Sequence, residues 1–568
     1  MDPYITTIVC VIALLAVFAI SIVHENHKQK KTTLKKIRRV YGNVPEQEYE
    51  TGDIERISHY FRRKNSQGFV IDDITWNDLD MDRLYMMVNQ TMSSPGEDVL
   101  YSMMRTPLMS KEELKARDDL VEFFATHEEE RTQTQLMVSK VGKTRIGSLS
   151  DTVFALTNAP LLKPALHVVM LVVILSSLVL IPFNPLLGFA LFFLLSISNV
   201  IIYYASKDYK LTEIYLDCIS SLLRMLATAD EMETVNWPET KKQMDAIRDG
   251  KKVFASLRKK AVFITGKNSG SGDFLQAILD YVRIVFHVDI LAFNSVLRDV
   301  QGKSDKIMQL IDNIGELDAA ISIASFRELL VLKCKPEFEE YDGSAISLEV
   351  EDLYHPLITE AVANSITATG GTLVTGSNAS GKSTFLKNVA INSILAQTIY
   401  TCTCSYYCAP LLKVMTSMAL RDDLSGGESY FIVEIKSLKR ILDESKKKEP
   451  LLCIIDEVLR GTNTIERIAA SSRILRELTG NWMLSFAATH DIELSYILEG
   501  IFHNYHFEEE VKDNEVTFSY MIQNGRATTR NAIKLLDVLG YDKKVVDAAR
   551  NAAEEFERTG VWKTAKGE

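Results

Sequence analysis

Gly376-Ser377-Asn378-Ala379-Ser380-Gly381-Lys382-Ser383-Thr384 sets two glycines around four small or polar residues and closes on Lys-Ser-Thr. That pattern suits a loop whose backbone N–H groups cradle phosphate. "TLVTG" before it reads as a buried strand and "KSTFLKNVAINSIL" after it as a helix. The loop would then sit at a helix N-terminus, where free N–H groups and the helix dipole favour an anion. Lys382 would reach the β and γ phosphates, and the Ser383 hydroxyl would ligate Mg2+.

Two further apolar runs end in groups that handle phosphate. "PLLCIIDE" delivers Asp456 and Glu457, and "WMLSFAATH" delivers His490. In open α/β sheets, ligands gather at the carboxyl ends of strands. Asp456 would hold the Mg2+ shell, and Glu457, at the end of a strand adjacent to the one that feeds Lys382, would orient or deprotonate a water. A lone histidine is more often structural, but as one of three such strand ends His490 reads as a γ-phosphate sensor. The set predicts ATP and Mg2+ as cofactors, with Glu457, His490 and Lys382 as catalytic residues.

Between these runs lies "DDLSGGESYFIVEIKSLKRIL". Ser425, Gly426, Gly427 and Glu428 would open a helix with an apolar face of Ile432, Ile435, Leu438 and Leu442. A glycine-rich helix start with no phosphate of its own suggests a signature that acts in trans on a second subunit's ATP, and hence a homodimer.

The elements that position these groups belong to a chain of 568 residues, too long for one ordinary core. Its formal net charge of -11 argues against a surface coated for nucleic acid, while local basic patches leave DNA open as a partner. Seven cysteines are too few for a disulfide scaffold. Cys402, Cys404 and Cys408 cluster in "YTCTCSYYC", but no fourth ligand follows at a recognisable spacing, so the stretch reads as a buried strand lined by small residues.

Residues 5–23 carry no charge and are long enough to cross a bilayer; the run is followed by Lys28, Lys30, Lys31, Lys35, Lys36, Arg38 and Arg39. That asymmetry predicts an uncleaved anchor with its basic flank in the cytoplasm. A second apolar block, Ala165 to Ser206, is divided by "IPFNP" and predicts a hairpin of two spans. Three spans would place a multi-pass protein in the inner (cytoplasmic) membrane with its ATPase domain in the cytoplasm. The alternative is a buried helical hairpin in a soluble core.

The signature follows the phosphate loop by about fifty residues, a spacing that resembles the MutS mismatch-repair family among signature-bearing ATPases. "TGSNASGKSTFLKN", "DDLSGGESYFIVE", "DEVLRGTNTIER", "ATHDIEL" and the upstream "YHPLI" are similar to the motifs of its ATPase domain. "NQTMSSPGEDVLYSMMRTPLMSKEELKARDDLVEFF" and "IGELDAAISIASFRE" resemble its core and lever, and "GRATTRNAIKLLDVLGYDKKVVDAAR" its C-terminal helix-turn-helix. The resemblance implies an α/β phosphate-loop ATPase head of the ABC/MutS type joined to an all-α core and lever region, here with three transmembrane helices. It implies Tyr520 as a stacking side chain in the nucleotide site. The short stretch between the first apolar run and the lever motif predicts that the mismatch-reading and connector domains are missing, and the stretch after the hairpin leaves little room for the clamp around DNA.

The expected order is an anchor and basic flank at 1–30, helical core and lever at 31–160, the membrane hairpin at 161–207 and the second part of the lever at 208–335. The ATPase domain follows at 336–530 and the dimerisation segment at 531–568. Three functions fit that order: a membrane-anchored, dimeric ATP-driven clamp that handles DNA, a membrane-associated mechanochemical or signalling ATPase without DNA, and an ABC-type transporter. A protein partner of the lever or membrane helices stays unidentified.

Overall fold

The computed structural model describes residues 21, 24, 27–64, 68–144, 148–157, 165–260, 281–377, 380–418, 430–512, 515–527, 533, 536–537 and 540–562. The chain divides into two compact units. One comprises Met1–Ser66, Met86–Met103 and Ala116–Leu329; the other comprises Gln67–Tyr85, Met104–Lys115 and Leu330–Glu568.

The first unit is helical, and its axis is the helix Ser304–Leu329. Ile307, Leu310, Ile311, Ile314, Leu317 and Ile321 recur at helical spacing and are buried, and from Leu317 to Arg327 every side chain is buried. A helix enclosed on all sides must satisfy its polar groups internally. Asp318 does so by accepting from the backbone N–H groups of Met92 and Ser93, at 3.0 and 2.9 Å, and from Ser93 Oγ at 2.6 Å. Close approach depends on two glycines: a Cβ at Gly315 would run into the Pro95 carbonyl, and one at Gly96 into the Asp318 carboxylate. "SSPGED" and "IGELDAA" thus form one packed junction.

The apolar block in this unit forms a helical hairpin, Ala165–Leu180 and Pro185–Ala205. Asn184 caps the second helix by accepting from Leu187 N–H at 3.2 Å, and Pro185 occupies the first turn, where its missing N–H costs nothing. Only Pro185–Ala205, with 21 residues, is long and apolar enough to cross a membrane among the described residues. Ala165–Leu180 has 16 residues and rises roughly 24 Å at 1.5 Å per residue, short of the ~30 Å of hydrocarbon. The expectation of three spans is therefore corrected to one candidate helix; the stretch 5–23 lies outside the described residues.

The second unit holds two sheets. Strands β1 (Glu337–Glu339), β2 (Ser347–Leu353), β3 (Asn364–Thr369) and β5 (Tyr406–Pro410) form a mixed sheet in the order β1-β5-β2-β3. The larger sheet contains β4 (Gly371–Thr375), β6 (Lys413–Ser417), β7 (Leu451–Asp456), β8 (Met483–Thr489), β9 (Phe502–Lys512) and β10 (Glu515–Asn524). Its order is β10-β9-β4-β8-β7-β6, parallel throughout except for the antiparallel β9–β10 ribbon. β4 and β8 are buried along their whole length, as parallel strands covered on both faces must be.

Two sequence expectations change here. β4 and β7 are not adjacent, because β8 pairs with both and stands between them. The helix after the signature, Tyr430–Ser445, buries Leu438 and Ile441 together with Glu434 and Ser437, whereas Ile432 and Ile435 are exposed. The buried stripe therefore runs along a different side from the one read off the isoleucines.

Burial raises the Asp318 carboxyl to about 6, against the hydrogen bonds from Ser93 and Met92. A raised acid favours the folded state below its unfolded value of 3.8, and that contribution is lost as pH rises through about 6. Asp318→Asn, which cannot ionise, should flatten the pH dependence of urea unfolding of the helical unit between those values. An unchanged slope would show that Asp318 does not carry it.

Candidate functional site

The loop that leaves β4 turns on Gly376, at φ 145°, where a Cβ would lie 2.7 Å from the Phe507 carbonyl oxygen. It ends on Gly381, at φ 109°, which is the N-cap of the helix Lys382–Thr398. Both positions demand glycine, because side chains rarely tolerate such backbone angles. Ser380 Oγ donates to Ser377 O at 2.9 Å, and Ser377 Oγ donates to Glu509. Asn378 and Ala379 lie outside the described residues.

Lys382 is buried, and its Nζ donates to the carbonyls of Gly376 and Ser377 at 2.9 and 2.6 Å. Burial lowers its pKa, opposed by the charges of Asp456, Glu457 and Glu509. The ammonium is thus held over the loop by carbonyls that a phosphate oxygen can replace.

Parallel pairing sets the rest. Thr375, last in β4, lies opposite Thr489, last in β8, and Asp456, last in β7, lies opposite Ala488. The residues that follow these ends, the phosphate loop, His490 and Glu457, therefore meet at one edge of the sheet. His490 Nε2 is 2.6 Å from Glu457 Oε1, and Arg460 Nε is 2.9 Å from Glu457 Oε2. The His490 hydrogen bond, with Arg460 and Lys382 nearby, holds the Glu457 carboxyl below its ordinary range. Glu457 itself adopts φ 57°, a left-handed backbone uncommon for a residue with a side chain.

Asp456 lies deeper. Burial pushes its carboxyl up, against a hydrogen bond from Ser383, and its Oδ1 is buried without a hydrogen-bond partner among the described residues. A hydroxyl beside a carboxylate that keeps one oxygen uncommitted fits a hard divalent cation. Ser383 and Asp456 would hold Mg2+, which when bound would offset phosphate charge.

A cavity of about 540 Å3, in the size range of small-molecule sites, opens at this edge. Ser380, Gly381, Lys382, Ser383 and Thr384 line one side, and Glu457, His490 and Tyr520 line others. Tyr520, at φ 53°, sits where the β9–β10 register shifts. Its carbonyl accepts from Asn364 Nδ2 at 3.0 Å, which ties the ribbon to β3. The signature residues Ser425, Gly426, Gly427 and Glu428 lie outside the described residues.

Two neighbours of the site escaped the sequence reading. His355, from "YHPLI", also lines the cavity; burial lowers its pKa to about 4, so its ring is neutral at pH 7. Glu434 is buried, and its Oε1 accepts from the backbone N–H groups of Leu459 and Arg460, the latter at 3.3 Å. The only signal for Glu434 was an acid within "YFIVEIK", next to hydrophobic neighbours.

Residues 372–557 match the family described as MutS domain V. The chain is similar to the DNA mismatch repair protein MutS of Thermotoga maritima, 26% identical over 343 residues, which cover 58% of this chain and 41% of that protein. The MutS of Leptospira interrogans is 28% identical over 298 residues, 50% of this chain and 34% of its own length. A protein named DNA mismatch repair protein MutS 2 from Haloarcula marismortui is 28% identical over 305 residues, 49% of this chain and 32% of its own. The chain spans less than half the length of these curated relatives.

Lys382→Ala should abolish ATP binding, measured with a fluorescent nucleotide. Glu457→Gln should keep binding but slow hydrolysis by about 100-fold or more, in line with the loss of one preorganised catalytic group. Hydrolysis at the wild-type rate by Glu457→Gln would remove Glu457 from the chemistry.

Proposed function

We propose that this chain is a MutS-related ATPase that binds ATP with Mg2+ and hydrolyses it as a homodimer. The observation that carries the reading is the meeting of the phosphate loop, Asp456–Glu457 and His490 at one edge of a parallel sheet, around a cavity of suitable size. In this reading Lys382 and the loop N–H groups bind the β and γ phosphates, and Ser383 and Asp456 hold the cation. Glu457, kept charged by His490 and Arg460, orients the attacking water more than it takes its proton, since a carboxyl held low is a weak base. His490 follows the charge on the γ-phosphate through Glu457.

In the same reading Ser425 acts on the partner's γ-phosphate, so that ATP is sandwiched between two heads. Ser425→Arg should bind ATP yet fail to hydrolyse it. A mixture with Lys382→Ala assembles dimers with one doubly defective site and one intact site, so activity should return on mixing. Mixed dimers that form but stay inactive would overturn a site built in trans.

We also place the protein at a membrane. Leu186, Phe189, Phe193, Leu194, Ile197 and Ile201 of the helix Pro185–Ala205 are all exposed, an apolar surface larger than soluble proteins ordinarily leave in water. The relatives are named for DNA mismatch repair, and the two heads would then drive a clamp fixed at a bilayer whose ligand is DNA. The full chain should stay with membranes through alkaline and high-salt washing; recovery in the soluble fraction would refute anchoring. In detergent its DNA affinity should fall as salt rises, because phosphate contacts release counterions. Absence of binding at low salt, with and without ATP, would leave an ATPase that works without DNA.

A further inference from the structure

Three thiols gather away from the nucleotide cavity. Cys334, in the segment that leads into β1, forms an antiparallel bridge with Cys402, and the N–H of each donates to the other's carbonyl at 3.1 and 3.0 Å. Cys404 is two residues further on, in the bend before β5. Its Sγ lies 3.5 Å from Cys334 Sγ, and all three sulfurs lie within 4.8 Å of one another. All three thiols are free; Cys402 and Cys404 are buried and Cys334 is partly exposed.

The backbone that carries them is firmly held. Asn392, on the helix that follows the phosphate loop, accepts from Thr403 N–H at 2.6 Å, and Thr403 O accepts from Tyr354 N–H at 3.1 Å. Cys402 Sγ donates to Asn392 O at 3.7 Å. Three sulfurs held this closely by ordered backbone could serve as a metal-ligand set. Tetrahedral zinc, with Zn–S bonds of ~2.3 Å, keeps its sulfurs about 3.8 Å apart. The observed separations, 3.5 Å between Cys334 and Cys404 and no more than 4.8 Å for any pair, lie around that value.

We infer that Cys334, Cys402 and Cys404 form a zinc site with three thiolate ligands and a fourth position open to solvent beside Cys334. An all-sulfur ligand set selects a soft or borderline cation over Mg2+, which keeps this site chemically distinct from the oxygen set at Ser383 and Asp456. Each Zn–S bond forms as a thiol gives its proton to solvent. Three protein ligands leave one coordination position open, unlike the closed four-ligand sets of structural zinc. Cys408, which the sequence grouped with Cys402 and Cys404, belongs elsewhere: it lies on β5 opposite Glu337 and Glu349. Cys334, remote in sequence, takes its place, which is why no ligand spacing was visible.

The test uses the full chain in detergent, stripped with chelator under a reductant and titrated with Co2+. One equivalent should produce a thiolate-to-cobalt band in the near ultraviolet, which zinc then removes. Cys334→Ser, Cys402→Ser and Cys404→Ser should each weaken Co2+ binding by at least ~10-fold, while Cys408→Ser and Cys453→Ser leave it unchanged. Cys334 is the partly exposed member, so its variant keeps the test valid if a buried substitution fails to fold. Absence of the near-ultraviolet band, or a band of full strength in Cys334→Ser, would overturn the site. Cobalt at the oxygen ligands gives no such band, so failure here is separate from failure of the ATPase reading.

Discussion

Parallel pairing of β4 with β8, and of β8 with β7, is the constraint on which the chemistry of the second unit depends. Parallel strands share a direction, so their carboxyl ends finish at one edge, and whatever follows them is placed there together. The cost is that every strand must be covered on both faces. The buried runs of β4, β7 and β8 and the nearly wholly buried helix Lys382–Thr398 answer that cost. Two glycines with positive φ then let the chain leave β4 and enter the helix.

Charge at the edge is arranged in opposing pairs. Asp456 is desolvated and pushed up, whereas Glu457, its neighbour, is held down by His490 and Arg460. Two carboxylates side by side would repel, and the separation of their environments, one buried beside a hydroxyl and one facing cations, lets them take different tasks. In the helical unit, Asp318 lies in the continuously buried stretch Leu317–Arg327 and stays satisfied through N–H and hydroxyl donors from Met92 and Ser93.

Much of this was legible in the residues. "TLVTG", "PLLCIID" and "WMLSFAAT" are continuous apolar runs that name themselves as buried strands, and the groups after them could be read from type alone. Strand order could not, since β8 enters between β4 and β7 through long-range pairing that no local pattern encodes. The stripe on Tyr430–Ser445 was misplaced because isoleucine was assumed to face inward, while the buried side centres on Glu434, whose partners lie in another segment. The apolar hairpin was visible as composition, but its division left the first helix at 16 residues. His355 and Cys334 escaped because each gains its setting only from chain distant in sequence.

Glu434 also joins two motifs. It rides on the helix Tyr430–Ser445, which comes after the signature stretch in sequence, and its carboxylate grips the backbone just beyond Glu457. A buried charged hydrogen bond contributes roughly 1.5–3 kcal/mol, and its loss would leave an unpaired carboxylate in the core. The turn that carries Glu457 is therefore latched to that helix like a trigger to its sear. A shift of that helix would carry the Glu457 turn with it and move its carboxylate relative to His490.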